Sequence, residues 1–318
     1  MTRAFIFPGQ GSQAVGMGKA LAEAFAPARE VFQEVDEALS QKLSHLMWEG
    51  PESDLILTEN AQPAIMAASM AVIRILQREA GLDFAHHARL VAGHSLGEYS
   101  ALCAAGAFTL ADTARLLKIR GRAMQEAVPV GVGAMIALIG VDVALAEEAV
   151  KEAIAAAIEA DPICVVANDN APGQVVISGR KETVERAGEI AKTKGAKRAI
   201  PLAVSAPFHC PLMKPAAEKM AEALGAVTIR PPAAPVISNV SATETDEPET
   251  IRRLLVEQVT GRVRWRESVL ALSAFGVDTT VEAGGNKVLT GMVKRIDKEL
   301  ANVTLDTTAD IEAFARTL

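Results

Sequence analysis

The sequence has little aromatic content, only 4% Phe, Trp and Tyr, and no excess of positive charge: 32 Lys and Arg stand against 39 Asp and Glu, a net charge of -7. Both scarcities count against a general nucleic-acid binder, which needs a basic surface and stacking rings. Long apolar runs are missing as well. Stretches free of Asp, Glu, Lys and Arg reach 15 residues, as from Ala4 to Gly18, and contain glycine and proline, whereas a membrane span needs about 20 apolar residues. Met1-Thr2-Arg3 leads straight into a strand-like segment with no signal-peptide core or cleavage site, so a cytoplasmic location is expected. The three cysteines, Cys103, Cys164 and Cys210, are odd in number and far apart. They give neither a disulfide framework nor a zinc knuckle and read as reduced thiols. What is present is 318 residues, 50% apolar and 22% charged, enough for a large core. At about 100 to 200 residues per domain, that length suits one large domain or a large and a small one.

The order of elements decides between them. Arg3 to Phe7 is strand-like and is followed by the turn Pro8-Gly9-Gln10-Gly11, then by helix patterns to about Gly81, the last opening at Asn60 to Gln62. Leu90 to Ala92 is a short apolar run before Gly93 and another helix pattern. Strand, tight turn and helix in succession predict a parallel α/β sheet. From Gly133 the order changes: strand 134–139, helix 143–159, strands 163–167 and 174–178, helix 182–193, strand 198–202. That is β-α-β-β-α-β, the ferredoxin-like order. Strand-like Val236 to Val240 and Thr279 to Glu282 then resume the α/β pattern, and Thr307 with Asp310 forms a capping box for a final helix. The expected architecture is an α/β-hydrolase-like domain with a parallel sheet, residues 1–128 and 204–318, into which a smaller ferredoxin-like domain, residues 129–203, is inserted.

Gly93-His94-Ser95-Leu96-Gly97 fits G-x-S-x-G between an apolar strand and a helix pattern. Glycines on both sides permit the strained turn that pushes a serine hydroxyl out at the carboxyl end of a sheet. Ser95 is thus a candidate nucleophile, with the backbone N–H of Leu96 placed to face an oxyanion; a glycine-rich turn with Ser95 as a plain helix cap is the alternative. Among the five histidines, His94 should diverge from Ser95 across the sharp turn, His45 sits on a polar helix, and His86-His87 falls in an expected loop. His209 lies in the charge-free segment Ala199 to Met213 between Pro207 and Pro211, and is the candidate base, with a structural histidine as the alternative. No carboxylate presents itself as third member, so a Ser-His dyad is expected.

Gly9-Gln10-Gly11-Ser12-Gln13-Ala14 also fits a dinucleotide fingerprint, G-x-G-x-x-A. The acidic residues about 20 positions on, Glu30, Glu34 and Asp36, fall inside a helix pattern and not at a strand end. A P-loop is excluded because Met17 stands where lysine is needed. The turn reads better as a polar wall with Gln10 as a hydrogen-bond donor. On the helix 110–125, Arg115, Lys118 and Arg122 form a polar stripe, while Arg120 falls on the apolar side with Leu116, Leu117 and Met124. A guanidinium there needs an anionic or carbonyl partner, supplied by a structural salt bridge or by a substrate anion.

Taken together, Phe7-Pro8-Gly9-Gln10-Gly11-Ser12-Gln13, Gln62-Pro63-Ala64, Gly93 to Tyr99, Arg120-Gly121, Asn170-x-Pro172-Gly173-Gln174, His209 and Lys287-Val288-Leu289 span essentially the whole chain. In these the sequence resembles the malonyl-CoA:acyl carrier protein transacylases, acyltransferases of fatty acid synthesis. It departs from them at Glu282-Ala283-Gly284-Gly285, where the family usually has Glu-x-Gly-Pro. The resemblance implies that Ser95 carries the acyl group, that His209 is base and then acid, and that Gln10 and Leu96 hold the oxyanion. It implies further that the backbone carbonyl of Gln258 orients His209, that Arg120 binds the malonyl carboxylate, and that Phe208 marks malonyl over methylmalonyl selectivity. Malonyl-CoA and acyl carrier protein are then the partners, with no metal, bound cofactor, nucleic acid or membrane, and a monomer is expected. Carrier proteins of this kind are acidic, so docking would use a basic cluster: the Arg115/Lys118/Arg122 stripe, Lys192 to Arg198, or Arg262/Arg264/Arg266. A serine thioesterase or hydrolase, an NAD(P)-dependent oxidoreductase and a carrier-binding scaffold without activity are the rival readings.

Overall fold

The computed structural model describes residues 1–204 and 206–318. Ten strands, β1 (Arg3–Phe7), β2 (Leu90–Gly93), β3 (Gly133–Ile139), β4 (Cys164–Ala171), β5 (Gln174–Arg180), β6 (Arg198–Pro201), β7 (Val236–Ile237), β8 (Glu244–Thr245), β9 (Thr279–Ala283) and β10 (Ala301–Leu305), fall into two sheets. The larger has the order β10-β9-β1-β2-β7-β8 and is parallel except where β8 turns back on β7. Its central strand is buried on both faces, which is why Ala4, Phe5, Ile6 and Phe7 form an unbroken apolar run. Phe5 and Phe7 enter the core beneath the long helix Thr58–Glu79, while Ala4 and Ile6 face a second core with Trp265, Val269 and Leu289.

The smaller sheet has the order β4-β5-β3-β6 and is antiparallel throughout. Helices Val143–Ala155 and Lys181–Thr193 share its separate core, with Ile136, Leu138, Val175 and Ile177 inward. Strand β4 of the small sheet meets the segment between the helices Pro248–Thr260 and Trp265–Ala274: Asp169 N–H donates to the Val263 carbonyl at 3.0 Å and Val263 N–H to that of Ala167 at 2.8 Å.

Several boundaries differ from the sequence reading for identifiable reasons. The helix expected to reach Glu159 stops at Ala155, because Glu159 turns to accept bonds from Thr183 and both terminal nitrogens of Arg186. Strand β4 runs on to Ala171 through two irregularities. The strand expected over 236–240 ends at Ile237 because Ser238 and Asn239 are diverted into a turn, Ser238 N–H bonding the Thr243 carbonyl. The helix expected at Asn60 starts at Thr58. His86 and His87 lie in a short helix, not a loop, capped by the Asp83 side chain. Strands β8 and β10 had no separate signal in the sequence. The final helix does open on the Thr307–Asp310 capping box, and all three cysteines are free and buried.

Candidate active site

Ser95 stands on the turn between β2 and the helix Gly97–Ala104, with φ +54, a left-handed conformation unusual for a side chain of this kind. The flanking glycines have no substitute: a Cβ on Gly93 would lie 1.9 Å from the Gly97 carbonyl, and one on Gly97 2.2 Å from the Phe7 carbonyl. Asn239, delivered by the turn after β7, ties the loop together. Its Oδ1 accepts the Ser95 N–H at 2.7 Å and its Nδ2 donates to the Gly93 carbonyl at 2.6 Å. Leu96, buried, begins the helical course immediately after Ser95, and its backbone N–H has no hydrogen-bond partner among the described residues.

His209 is buried and also takes a positive φ, +57, between its two prolines. Its Nε2 lies 2.8 Å from Ser95 Oγ, and its Nδ1 lies 2.9 Å from the backbone carbonyl of Gln258. That carbonyl belongs to the last turn of the helix Pro248–Thr260, where carbonyls have no partner four residues on and the helix dipole is negative. With Nδ1–H donating to Gln258, Nε2 is left bare toward the Ser95 hydroxyl. Burial, and next the Arg120 charge, press the imidazole down to about 3 against the opposing pull of the Gln258 carbonyl, so it is neutral at pH 7.

Arg120 is 1% exposed on the helix Leu110–Glu126, in the apolar position its spacing predicted. The close approach is permitted by Gly121, where a Cβ would sit 2.5 Å from the Thr58 carbonyl. No carboxylate pairs with it among the described residues. Nη1 donates to Gln62 Oε1 at 2.9 Å, and Nη2 donates to Gln258 Oε1 at 2.9 Å and to Ser95 Oγ at 3.1 Å, while Nε is buried without a partner. The carbonyl partners allowed for in the sequence are therefore the ones present. The cation is left without a direct ion pair beside the serine, with Glu98 acting on it through space.

Ser95, Leu96, Arg120 and His209 line a cavity of about 440 Å³, whose walls also include Gln10, Phe208 and Asn168 from the small sheet. Gln10 Nε2 reaches Thr58 Oγ1 at 3.4 Å. His94 diverges from Ser95 and meets Asn170 Oδ1 at 2.8 Å. Sequence reasoning missed Asn239, Glu98 and the side chain of Gln258. Glu98, 1% exposed, accepts from Asn239 N–H at 3.1 Å and Gln258 Nε2 at 2.7 Å, and burial lifts its carboxyl to about 7. Its sequence signal was its place in the Gly93 to Tyr99 motif, as an acidic residue in the first turn after the serine, with no role attached.

Elsewhere, Glu30, Glu34 and Asp36 lie within the helix Ala26–Leu39, which removes the ribose-binding carboxylate a dinucleotide site needs. The proline missing at position 285 has a local reason: even a Cβ there would meet Pro8 at 2.6 Å. The following helix is instead secured by Glu282, whose carboxylate caps the N–H groups of Leu289 and Thr290 at 3.0 and 2.7 Å. Of the basic clusters, Arg115 pairs with Asp112, Lys118 and Arg122 with Glu59, and Arg262, Arg264 and Arg266 with Glu147, Glu267 and Asp169. Lys192 and Lys194 are paired too. Lys197 and Arg198 have no ion pair among the described residues.

The sequence profile of the acyl transferase domain matches residues 4–310. The malonyl CoA-acyl carrier protein transacylase of Bacillus subtilis (strain 168) is 48% identical over 317 residues, 99% of this chain and 96% of that protein. That of Escherichia coli (strain K12) is 47% identical over 293 residues, 92% of each. The crystal structure of an acyl-carrier-protein-S-malonyltransferase from Bartonella henselae superposes with a TM-score of 0.96 at 55% identity, covering 100% of this chain and 99% of that one. A malonyl-transacylase in complex with a type II polyketide synthase acyl-carrier protein gives a TM-score of 0.94 at 44% identity over 100% of both chains. The chain belongs to the acyl transferase domain family, among the malonyl CoA-acyl carrier protein transacylases.

Proposed function

We propose that this protein transfers the malonyl group from malonyl-CoA to the phosphopantetheine thiol of an acyl carrier protein through a malonyl ester on Ser95, supplying fatty acid synthesis. The observation that carries the reading is a single oxygen, Ser95 Oγ, lying 2.8 Å from a neutral imidazole and 3.1 Å from an arginine with no carboxylate partner. The first set of distances makes a nucleophile, the second a receptor for the substrate's free carboxylate.

In the forward half-reaction the carboxylate of malonyl-CoA meets the Arg120 fork and takes the place of Ser95 Oγ on Nη2. Ser95 attacks the thioester carbonyl while its proton passes to His209 Nε2. The oxyanion faces the Leu96 N–H and the Gln10 amide, donors worth about 3 to 4 kcal/mol each in the transition state. Collapse expels coenzyme A, its thiolate protonated by the imidazolium, and leaves malonyl-Ser95. In the second half the carrier's thiol gives its proton to His209 and attacks the ester, and Ser95 departs with that proton restored. Gln258 holds the imidazole through both halves. The sequence of steps draws on no metal or bound cofactor; coenzyme A and phosphopantetheine enter as substrates.

Residues 129–203 act as an inserted ferredoxin-like domain and residues 1–128 and 204–318 as the α/β-hydrolase-like one. The strand order β6-β3-β5-β4, with its own core, supports that division. The proposed site is complete within one chain, so the monomer is the working unit, in the cytoplasm; among the described residues no helix is long and apolar enough to cross a membrane. Intact mass after incubation with malonyl-CoA tests the reading: a stable malonyl adduct on the wild type, absent from Ser95→Ala, is expected. Sustained release of coenzyme A without a carrier would mark a hydrolase instead.

A further inference from the structure

Glu98 is a buried carboxylate adjoining the site to which the proposed steps give no task. Its Oε2 accepts from Gln258 Nε2 at 2.7 Å and from the Asn239 backbone at 3.1 Å. Gln258 Nε2 also donates to the Ser95 carbonyl at 3.0 Å. With its amino group committed to those two acceptors, the Gln258 amide turns its oxygen the other way, where it receives Arg120 Nη2 at 2.9 Å. A flipped amide would set NH2 against a guanidinium, donor against donor, and its oxygen against a carboxylate, acceptor against acceptor. Each buried mismatch leaves polar groups unpaired. An acceptor at the Glu98 position therefore selects one of the two amide orientations.

We propose that Glu98 is a positioning residue for acyl selectivity: it locks the Gln258 side-chain amide so that the Arg120 fork stays aimed at the substrate's free carboxylate. The inference rests on the reading that Arg120 receives the malonyl group. Through Gln258 the consequence falls on carboxylate-bearing substrates more than on neutral ones, whereas its second contact, the Asn239 N–H at 3.1 Å, bears on both alike. What matters is an acceptor oxygen at the right reach, not the negative charge.

The test compares second-order rates of Ser95 acylation by malonyl-CoA and by acetyl-CoA, followed by intact mass, in the wild type, Glu98→Gln, Glu98→Ala and Glu98→Asp. Glu98→Gln keeps an acceptor at the same reach and should hold the malonyl-to-acetyl ratio within about threefold of wild type. Glu98→Ala removes the acceptor and Glu98→Asp withdraws it by a methylene, and both should lower the ratio at least about tenfold. Should Glu98→Ala fail to fold, Glu98→Asp carries the comparison. A ratio unchanged in Ala and Asp, equal losses on both substrates, or a Gln variant as impaired as Ala would each overturn the proposal. If the wild type itself takes no malonyl on Ser95, the underlying reading fails and not this inference alone.

Discussion

Arg120 Nη2 donates to Ser95 Oγ at 3.1 Å, so the group proposed to receive the substrate's charge and the group proposed to attack it share a hydrogen bond before substrate arrives. Since the guanidinium is buried without a carboxylate, a neutral acyl group offers nothing to compensate it. Breaking a desolvated pair of this kind costs about 2 to 5 kcal/mol. Arg120→Ala should therefore lower kcat/KM for malonyl-CoA by roughly 10²-fold or more while raising activity toward acetyl-CoA relative to malonyl-CoA. Steady-state rates with both substrates check this; an unchanged preference rules out the assigned partner.

The imidazole of His209 is pushed down to about 3 by burial and by Arg120. It should stay neutral at pH 5, with the proton on Nδ1 toward Gln258 and Nε2 bare. Nitrogen chemical shifts of ¹⁵N-histidine-labelled protein, with His209→Gln for assignment, report both. The unfolded chain binds a proton near pH 6.5 and the native site does not, so the contribution of this group is full above 6.5 and is lost as pH falls from there toward 3.

Gly97→Ala should be among the most damaging single-methyl substitutions in the chain. The added carbon would sit 2.2 Å from the Phe7 backbone oxygen, in the central strand, where nothing can yield. A loss beyond about 4 kcal/mol, or no soluble protein, is expected. Gly291→Ala, in the helix Val288–Ile296 with nothing within 4 Å of the new carbon, should be tolerated or gain up to about 1 kcal/mol. Urea unfolding of the two variants gives the contrast.

Lys197 and Arg198 stand at the entry to β6, which runs into Leu202 and Val204 on the cavity wall. Unlike the other basic clusters they are not neutralised within the chain. Reversing both to Glu should raise KM for an acidic carrier protein several-fold while leaving acylation by malonyl-CoA within about twofold. Equal effects on both half-reactions would place carrier docking elsewhere.

Much of the site could be read in the one-dimensional pattern where local chemistry is self-sufficient. Gly93-His94-Ser95-Leu96-Gly97 announces its own backbone strain, and Arg120 announces its burial by falling out of phase with the polar stripe of its helix. Residues whose part depends on distant partners left no such mark. Asn239 follows a two-residue strand and meets Ser95 across 144 positions, and Glu98 looks like any acidic residue in a first helical turn. The helix expected to run to Glu159 ended early because Arg186, 27 residues away, competes for that carboxylate.

By itself the order of residues determined the turn at Ser95, the alternation of strand and helix, and the isolation of one arginine, because steric limits on φ and the helical period act over a few neighbours. Tertiary structure alone decided that the arginine is held by amide oxygens, and it is what brings to the imidazole at 209 the helix-terminal carbonyl, not an acid, that the family resemblance implied. Those choices depend on which unpaired groups the packing brings within about 3 Å of one another, a quantity no local pattern encodes.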